Sequence, residues 1–346
     1  MKRYGEIYHK IYDIENLKLA HKMARKGKTW YKDVRMVDVD EDKYLLKLQE
    51  TLINKTYKTS EYINFKIIDK GKEREISKLP YYPDRICQWA IMLQIEHIFL
   101  NHFIYDTYAS IPNKGIHVAL KRVKQAMNNT TETEYCLKFD IKKFFPSIDK
   151  EVLKSLLRNK IKDKDLLWLL DEIIDSCDKG IPIGNYLSQY FANYYLSYFD
   201  HYCKEELKCK YYFRYMDDIV IFNESKEKLH TLKQEIKLLL NNDLNLRLKE
   251  NWQIFPTFVR GLDFVGYRFF KNFTLVRKNT IKNIKSKLKS IRKNGLKTSD
   301  LNSIMSYMGW LKYSNSHNFK KKYMFKVINK LKEELNYEKS TKHSTT

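Results

Sequence analysis

The chain has 346 residues, and its 65 Lys and Arg against 42 Asp and Glu leave a formal charge of +23. That length suffices for a large core or two to three subdomains, and the cationic excess points to a polyanionic partner, either nucleic acid or an anionic membrane surface. No apolar run reaches the roughly 18 residues of a membrane-crossing helix, and the N-terminus lacks the apolar stretch of a signal peptide. Nucleic acid in a cytoplasmic setting is therefore expected, with no membrane partner. The five cysteines form no Cys-x-x-Cys pair and are odd in number, which argues against a zinc ribbon or a disulfide framework. They read as small buried residues in a reducing cytosol.

Residues 1–64 read as amphipathic helices, because Ile11, Ile14, Leu17 and Leu19, then Tyr44, Leu45, Leu48 and Leu52, recur near helical spacing. Between them the basic loop from Arg25 to Lys32 is either a solvated turn or a grip on an RNA backbone, its Trp30 and Tyr31 stacking on a base. Residues 65–79 read as a strand pair joined by Asp69-Lys-Gly-Lys72, followed by a helix from about Asp84 to Phe99 opened by Pro83. After a turn at Pro112–Ile116, a helix runs from about His117 to Asn128, and a strand then ends at Asp140. Residues 150–176 read as helical, and a long helix starts near Asn185, with Leu187, Phe191, Tyr195 and Phe199 at inward-packing spacing. A hairpin around residue 216, a helix from about Lys226 to Asn241, and strand-like runs at about 246–255 and 261–277 follow. The remainder is helical and basic, and the tail after Tyr337 is polar and expected to be disordered. This order specifies an α+β fold rather than a doubly wound parallel sheet.

The hairpin carries Tyr215-Met216-Asp217-Asp218 where an aromatic-rich apolar run breaks and restarts. Asp is common in turns for its own hydrogen-bonding reasons, but paired acids among apolar residues are costly unless something positive binds them. Asp140 ends another strand-like run, in Tyr135-Cys-Leu-Lys-Phe-Asp140. Three carboxylates on neighbouring strand ends suit a pair of Mg²⁺ ions, which prefer hard oxygen ligands and can clamp both oxygens of a phosphoryl transfer.

On these blocks the chain resembles a reverse transcriptase over about residues 65–270. The resemblance implies a right-hand polymerase fold: a helical extension at 1–64, fingers and an antiparallel palm sheet at 65–270, a basic helical thumb at 271–337 and a tail at 338–346. It implies an RNA-directed DNA polymerase with Asp140, Asp217 and Asp218 as catalytic residues. These three, with the Ile141 carbonyl, would hold two Mg²⁺ ions, with Mn²⁺ as an alternative. Phe145 would lie under the sugar of the incoming deoxynucleotide and exclude a 2′-hydroxyl; packing in the core is the other reading. The segment Ile183-Gly184-Asn-Tyr-Leu-Ser188-Gln189 has Ile for the usual Gln and Gln for the usual Pro. That resembles the reverse transcriptases of bacterial and phage diversity-generating retroelements, which miscopy template adenines and work with a small basic accessory protein. Ile183, Gly184 and Gln189 are then nucleotide-site residues, although Ile183 alone also fits simple packing.

In the block from Lys70 to Pro80, Arg74 is the candidate for the α-phosphate, its planar fork suited to phosphate oxygens, with Lys70 and Lys72 farther out. Arg85 matches a position devoted to fold and template positioning. Where relatives often place a lysine that protonates the pyrophosphate leaving group, Lys249 comes about three positions early and Trp252 occupies the usual place. From Phe264 to Ser299 there are eleven Lys or Arg and no Asp or Glu, a one-sign run suited to tracking phosphates. Lys282, Lys285, Lys287, Lys289, Arg292 and Lys293 are its candidate contacts. The expected partners are template RNA, an RNA–DNA hybrid and dNTPs. The alternatives are a bacterial defence enzyme of retron or abortive-infection type using a dedicated noncoding RNA, or a non-catalytic RNA-binding scaffold. No Cys-rich or His-rich endonuclease segment and no RNase H domain is expected.

Overall fold

A computed structural model of the chain describes residues 3–69 and 72–325. Helices α1 (Tyr8–Ile11), α2 (Ile14–Ala24), α3 (Lys32–Val39) and α4 (Glu41–Ile53) open it. The Asp13 carboxylate starts α2 by accepting the N–H groups of Glu15 and Asn16, a cap worth about 1 kcal/mol. Leu17 on α2 and Leu45, Leu48 and Leu52 on α4 are fully buried, as their spacing predicts. Leu19, counted in the same apolar set, is exposed instead, because it lies off the inward face.

Strands β1 (Ile63–Asp69) and β2 (Lys72–Lys78) form an antiparallel hairpin with Ile67 opposite Arg74. A π-type turn at Tyr81–Arg85 leads into α5 (Ile86–Leu100). This helix is apolar on nearly every side, the composition of a core element. There follow β3 (Thr107–Tyr108), α6 (Ile116–Met127), β4 (Tyr135–Asp140), α7 (Phe144–Ser147), α8 (Lys150–Lys160), α9 (Lys164–Asp175) and α10 (Tyr186–Glu205). Trp89 on α5 stacks on Tyr186 of α10 at 4.3 Å between ring centroids, and Phe99 packs among Tyr190, Phe191 and Tyr194. The periodic aromatics of α10 therefore build core.

The hairpin β5 (Tyr211–Tyr215) and β6 (Asp218–Asn223) precedes α11 (Lys226–Asn242), β7 (Gln253–Pro256) and α12 (Thr257–Arg260). The main sheet has the order β3-β5-β6-β4-β7, with β3 parallel to β5. The run expected as one strand at 261–277 is a three-stranded antiparallel meander: β8 (Leu262–Phe264), β9 (Tyr267–Phe269) and β10 (Thr274–Val276). Val265 and Gly266, with φ of 44° and 84°, form its first turn, the positive-φ pair a tight hairpin demands. Helices α13 (Lys278–Asn294) and α14 (Thr298–Lys312) follow. The helix-and-strand content is thus the α+β class expected.

The described residues fall into two compact units. One holds the chain up to Lys114 with Lys138–Ile219 and His230–Trp252; the other holds Gly115–Leu137, Val220–Leu229 and the chain from Gln253. In the second, Ile284, Leu288 and Ile291 bury one face of α13, leaving Lys282, Lys285, Lys289, Arg292 and Lys293 exposed. The tail expected at 338–346 lies outside the described residues. No helix among them is long and apolar enough to cross a membrane.

Candidate functional site

The turn between β5 and β6 consists of Met216 and Asp217. Met216 has φ 56°, a left-handed conformation uncommon for a residue other than glycine. Its N–H donates to the Tyr108 carbonyl at 3.4 Å, and Tyr108 is the parallel partner of Tyr215. Asp217 is thus held in the turn, Asp218 opens β6 and Asp140 closes β4. Because β6 and β4 adjoin in the sheet, the three acids found in sequence come to one end of neighbouring strands.

Asp218 has its carboxyl pKa pushed up to about 6. Burial is the main cause; the nearby Lys138 opposes it, and the charges of Asp140 and Asp217 reinforce it. Lys138 Nζ donates to Asp218 Oδ2 at 3.1 Å and lies 2.9 Å from Oδ1. Oδ1 is buried, and its contact with Lys138 is an ion pair without hydrogen-bond alignment. A second lysine stands at the other acid: Lys249 Nζ is 3.6 Å from Asp140 Oδ2. Its backbone N–H donates to the Asp140 carbonyl at 2.9 Å, beside a bridge between Ile141 and Leu248. Lys249 therefore reaches the site despite its early place in the motif. Trp252 packs instead under Lys233, 4.3 Å from the ring, and against His230.

Among the described residues no three or more His, Cys, Asp or Glu side chains form a ready ligand set. The donor chemistry nevertheless fits a hard cation. The like charges of Asp140 and Asp217 converge on the buried Asp218 carboxylate. Lys138 is the site residue that sequence reasoning missed. Its signal was the spacing to Asp140, since residues two apart on a strand share a face.

Phe145 lies on α7, half-buried, with its ring edge-on to Phe144 at 5.7 Å. The segment before α10 runs alongside it: the Ile181 N–H donates to the Phe145 carbonyl at 3.1 Å. Ile183 is half-buried, and its carbonyl accepts the Ser77 N–H of β2 at 3.1 Å. Gly184 has φ 129°, and a Cβ there would lie 2.7 Å from the Ser77 carbonyl oxygen. The close approach permitted by this glycine is thus to β2, which ties the Ile183–Gln189 segment to the β1–β2 hairpin. Gln189 is exposed on α10. Lys70 lies outside the described residues, and of Lys72 and Arg74 only the backbone is described.

Gly184 also borders a cavity of about 300 Å³ lined by Lys28, Tyr31, Phe65, Lys78 and Arg85, among others. Burial, together with the charges of Arg85 and Lys78, lowers the Lys28 pKa. Lys78 lies over the Tyr31 ring at 5.9 Å, and Trp30, which stacks on Tyr31, is 64% exposed. The loop from Arg25 to Lys32 is therefore more than a solvated turn, since part of it walls a cationic, aromatic cavity. In the other unit, Lys287 pairs with Asp300 at 2.5 Å, and Lys285 lies 5.0 Å over the Tyr323 ring. The Tyr267 hydroxyl donates to the Trp310 carbonyl at 3.0 Å.

With this geometry in place, comparison with known proteins defines the class. Residues 57–269 match the family model for reverse transcriptase (RNA-dependent DNA polymerase). The chain belongs to that enzyme family and has its right-hand polymerase fold. It is 26% identical to the Retron Ec73 reverse transcriptase of Escherichia coli, over 73% of this chain and 84% of that protein. It is 24% identical to protein YkfC of Escherichia coli K12 over 58% of this chain, and spans 64% of YkfC's length. The group II intron-encoded protein LtrA of Lactococcus lactis is 22% identical over 59% of this chain and 46% of its own length. A solved structure of apo telomerase from Candida tropicalis aligns at TM-score 0.47 and 14% identity, over 72% of this chain and 57% of that one.

Proposed function

We propose that this protein extends a DNA primer on an RNA template, with Asp140, Asp217 and Asp218 as its catalytic carboxylates. The observation that carries the reading is their convergence at adjoining ends of β4 and β6, where the charges of Asp140 and Asp217 add to the burial that raises the Asp218 carboxyl pKa to about 6. Asp140 and Asp217, with the Ile141 carbonyl and Asp218 in support, would hold Mg²⁺, or Mn²⁺ in its place. When bound, two such ions polarise the α-phosphate and favour the deprotonated primer 3′-hydroxyl. Phe145 lies under the sugar and discriminates against a 2′-hydroxyl. Arg74, with Lys70 and Lys72, receives the triphosphate, while Gly184, Ile183 and Gln189 face the nascent pair. Lys249, beside Asp140, is the residue placed to return a proton to the leaving pyrophosphate.

The cavity bounded by Lys28, Tyr31 and Arg85 is read as part of the template path, its cations answering phosphates and its rings answering bases. The exposed cations Lys282, Lys285, Lys289, Arg292 and Lys293, with Lys287, are read as contacts to the RNA–DNA hybrid. The test of this reading is dNTP incorporation on a primed homopolymer RNA with Mg²⁺. A folded protein that incorporates nothing, with Mg²⁺ or Mn²⁺, would favour a non-catalytic RNA-binding scaffold.

The motif from Ile183 to Gln189 supports a narrower reading: an error-prone polymerase of a diversity-generating retroelement, acting with a small basic accessory protein. The likeness to a retron reverse transcriptase over most of its length supports a second one, a defence enzyme that copies a dedicated noncoding RNA. The error spectrum of the cDNA separates the two.

A further inference from the structure

Beneath the turn that carries Asp217 lies a buried ion pair with every donor used. Arg214 and Asp200 are both fully buried. Arg214 Nε donates to Asp200 Oδ1 at 2.7 Å, and Nη2 donates to Asp200 Oδ2 at 2.5 Å and to the Asn193 carbonyl at 3.2 Å. Nη1 donates to Asn193 Oδ1 at 3.0 Å and to the Met216 carbonyl at 3.1 Å. A guanidinium has five N–H groups, and here all five are spent. Asp200 is filled in turn by the Tyr212 hydroxyl at 2.5 Å and Thr107 Oγ1 at 2.9 Å.

This network joins α10, β3 and β5, and it meets the catalytic turn at the Met216 carbonyl. Met216 is also the residue in the left-handed region, a conformation that persists only where its surroundings impose it. Tyr108 fixes its N–H; Arg214 fixes its carbonyl. The peptide units on either side of Met216, the second of which leads into Asp217, are thereby each held at one polar group. We infer that Arg214, oriented by Asp200, is a positioning residue that sets the backbone from which Asp217 and Asp218 present their carboxylates to metal. The inference rests on the proposed metal-binding role of those two acids.

The test compares three variants of the whole chain with wild type. Arg214→Lys keeps a charge opposite Asp200 but has no fork to span Asp200, Asn193 and the Met216 carbonyl together. Asp200→Asn with Arg214→Met removes both buried charges, a change that cores often tolerate, yet leaves the Met216 carbonyl unheld. Asp217→Asn reports on the site itself. Thermal melting establishes folding, and oligo(dT) extension on poly(rA) is titrated with Mg²⁺.

The folded Arg214 variants should need roughly tenfold more Mg²⁺ for half-maximal rate, the usual cost of losing a residue that orients metal ligands. Their KM for dTTP at saturating Mg²⁺ should be little changed, and Mn²⁺, which binds such ligands at different strength, should shift in parallel. A folded double variant with the wild-type Mg²⁺ curve overturns the inference. Loss of folding in both Arg214 variants overturns it too, making the network a folding element. If Asp217→Asn still extends primers, the catalytic reading fails and this inference with it; if only the Mg²⁺ curves are unmoved, the positioning role alone fails.

Discussion

Lys138 Nζ stands 2.9 Å from Asp218 Oδ1, so a strand lysine neutralises the carboxylate that two neighbouring aspartates destabilise. The consequence is a titration within reach of assay. The Asp218 carboxyl is pushed up to about 6 by burial, against the pull of Lys138. Protons then compete with Mg²⁺ for it, and the half-saturating Mg²⁺ concentration should fall as pH rises through about 6 and level off above about 7. Lys138→Met removes a cause that lowers this pKa, so the inflection should move to higher pH. In metal-free protein the sign is opposite for stability: a raised carboxyl pKa contributes below the unfolded value near 4, and that contribution is lost as pH rises through about 6. Melting in EDTA across this window should show the decline in wild type and not in Asp218→Asn.

Phe145→Ala should admit ribonucleotides. The ring's half-buried place beside the Ile181–Ile183 segment leaves it a face for a sugar. Relative kcat/KM for dNTP and rNTP measures the effect, and the ratio should fall by at least about tenfold. An unchanged ratio would show Phe145 to be core alone.

RNA binding should weaken steeply with salt, because several phosphate contacts release condensed counterions. Replacing Lys282, Lys285 and Lys289, exposed along α13, should flatten the log–log salt slope by about two to three. Lys287, paired with Asp300, should contribute less than its neighbours when changed alone. A slope that stays the same would remove α13 from the nucleic-acid surface.

The parts of this site legible in sequence were those with local grammar. Asp217 and Asp218 interrupt an apolar run, Asp140 ends one, and the i, i+4 aromatics of α10 announced a buried helix. Lys138 left only its i, i+2 spacing to Asp140 as a local signal, and Lys249 stood out of register in its motif, because the roles of both are tertiary. A lone lysine on a strand reads as surface until β6 is known to lie beside β4. Lys249 reaches Asp140 only through the bridge between Ile141 and Leu248, which no spacing rule encodes. The meander at β8–β10 was hidden for another reason: its first turn places Val265, a β-branched residue, at positive φ, where turn chemistry disfavours it.

Ile183→Gln separates the narrower readings. An aliphatic side chain offers the nascent pair no hydrogen bond, so selection there depends on shape, and a polar contact can exceed apolar packing in selectivity. If the mutagenic reading holds, wild-type cDNA from a defined RNA carries errors concentrated at template adenines, and Ile183→Gln lowers them there more than elsewhere. An even, low error rate in the wild type favours the enzyme that copies a dedicated noncoding RNA.

The central claim, that Asp140, Asp217 and Asp218 form a nucleotidyl-transfer site, is tested most directly by primer extension on primed poly(rA) with dTTP and Mg²⁺, comparing wild type with Asp217→Asn. Wild type should extend the primer, and the mutant should fall by at least about a thousandfold while binding RNA with nearly unchanged affinity. Extension by the purified, folded mutant at a rate near that of wild type would contradict it.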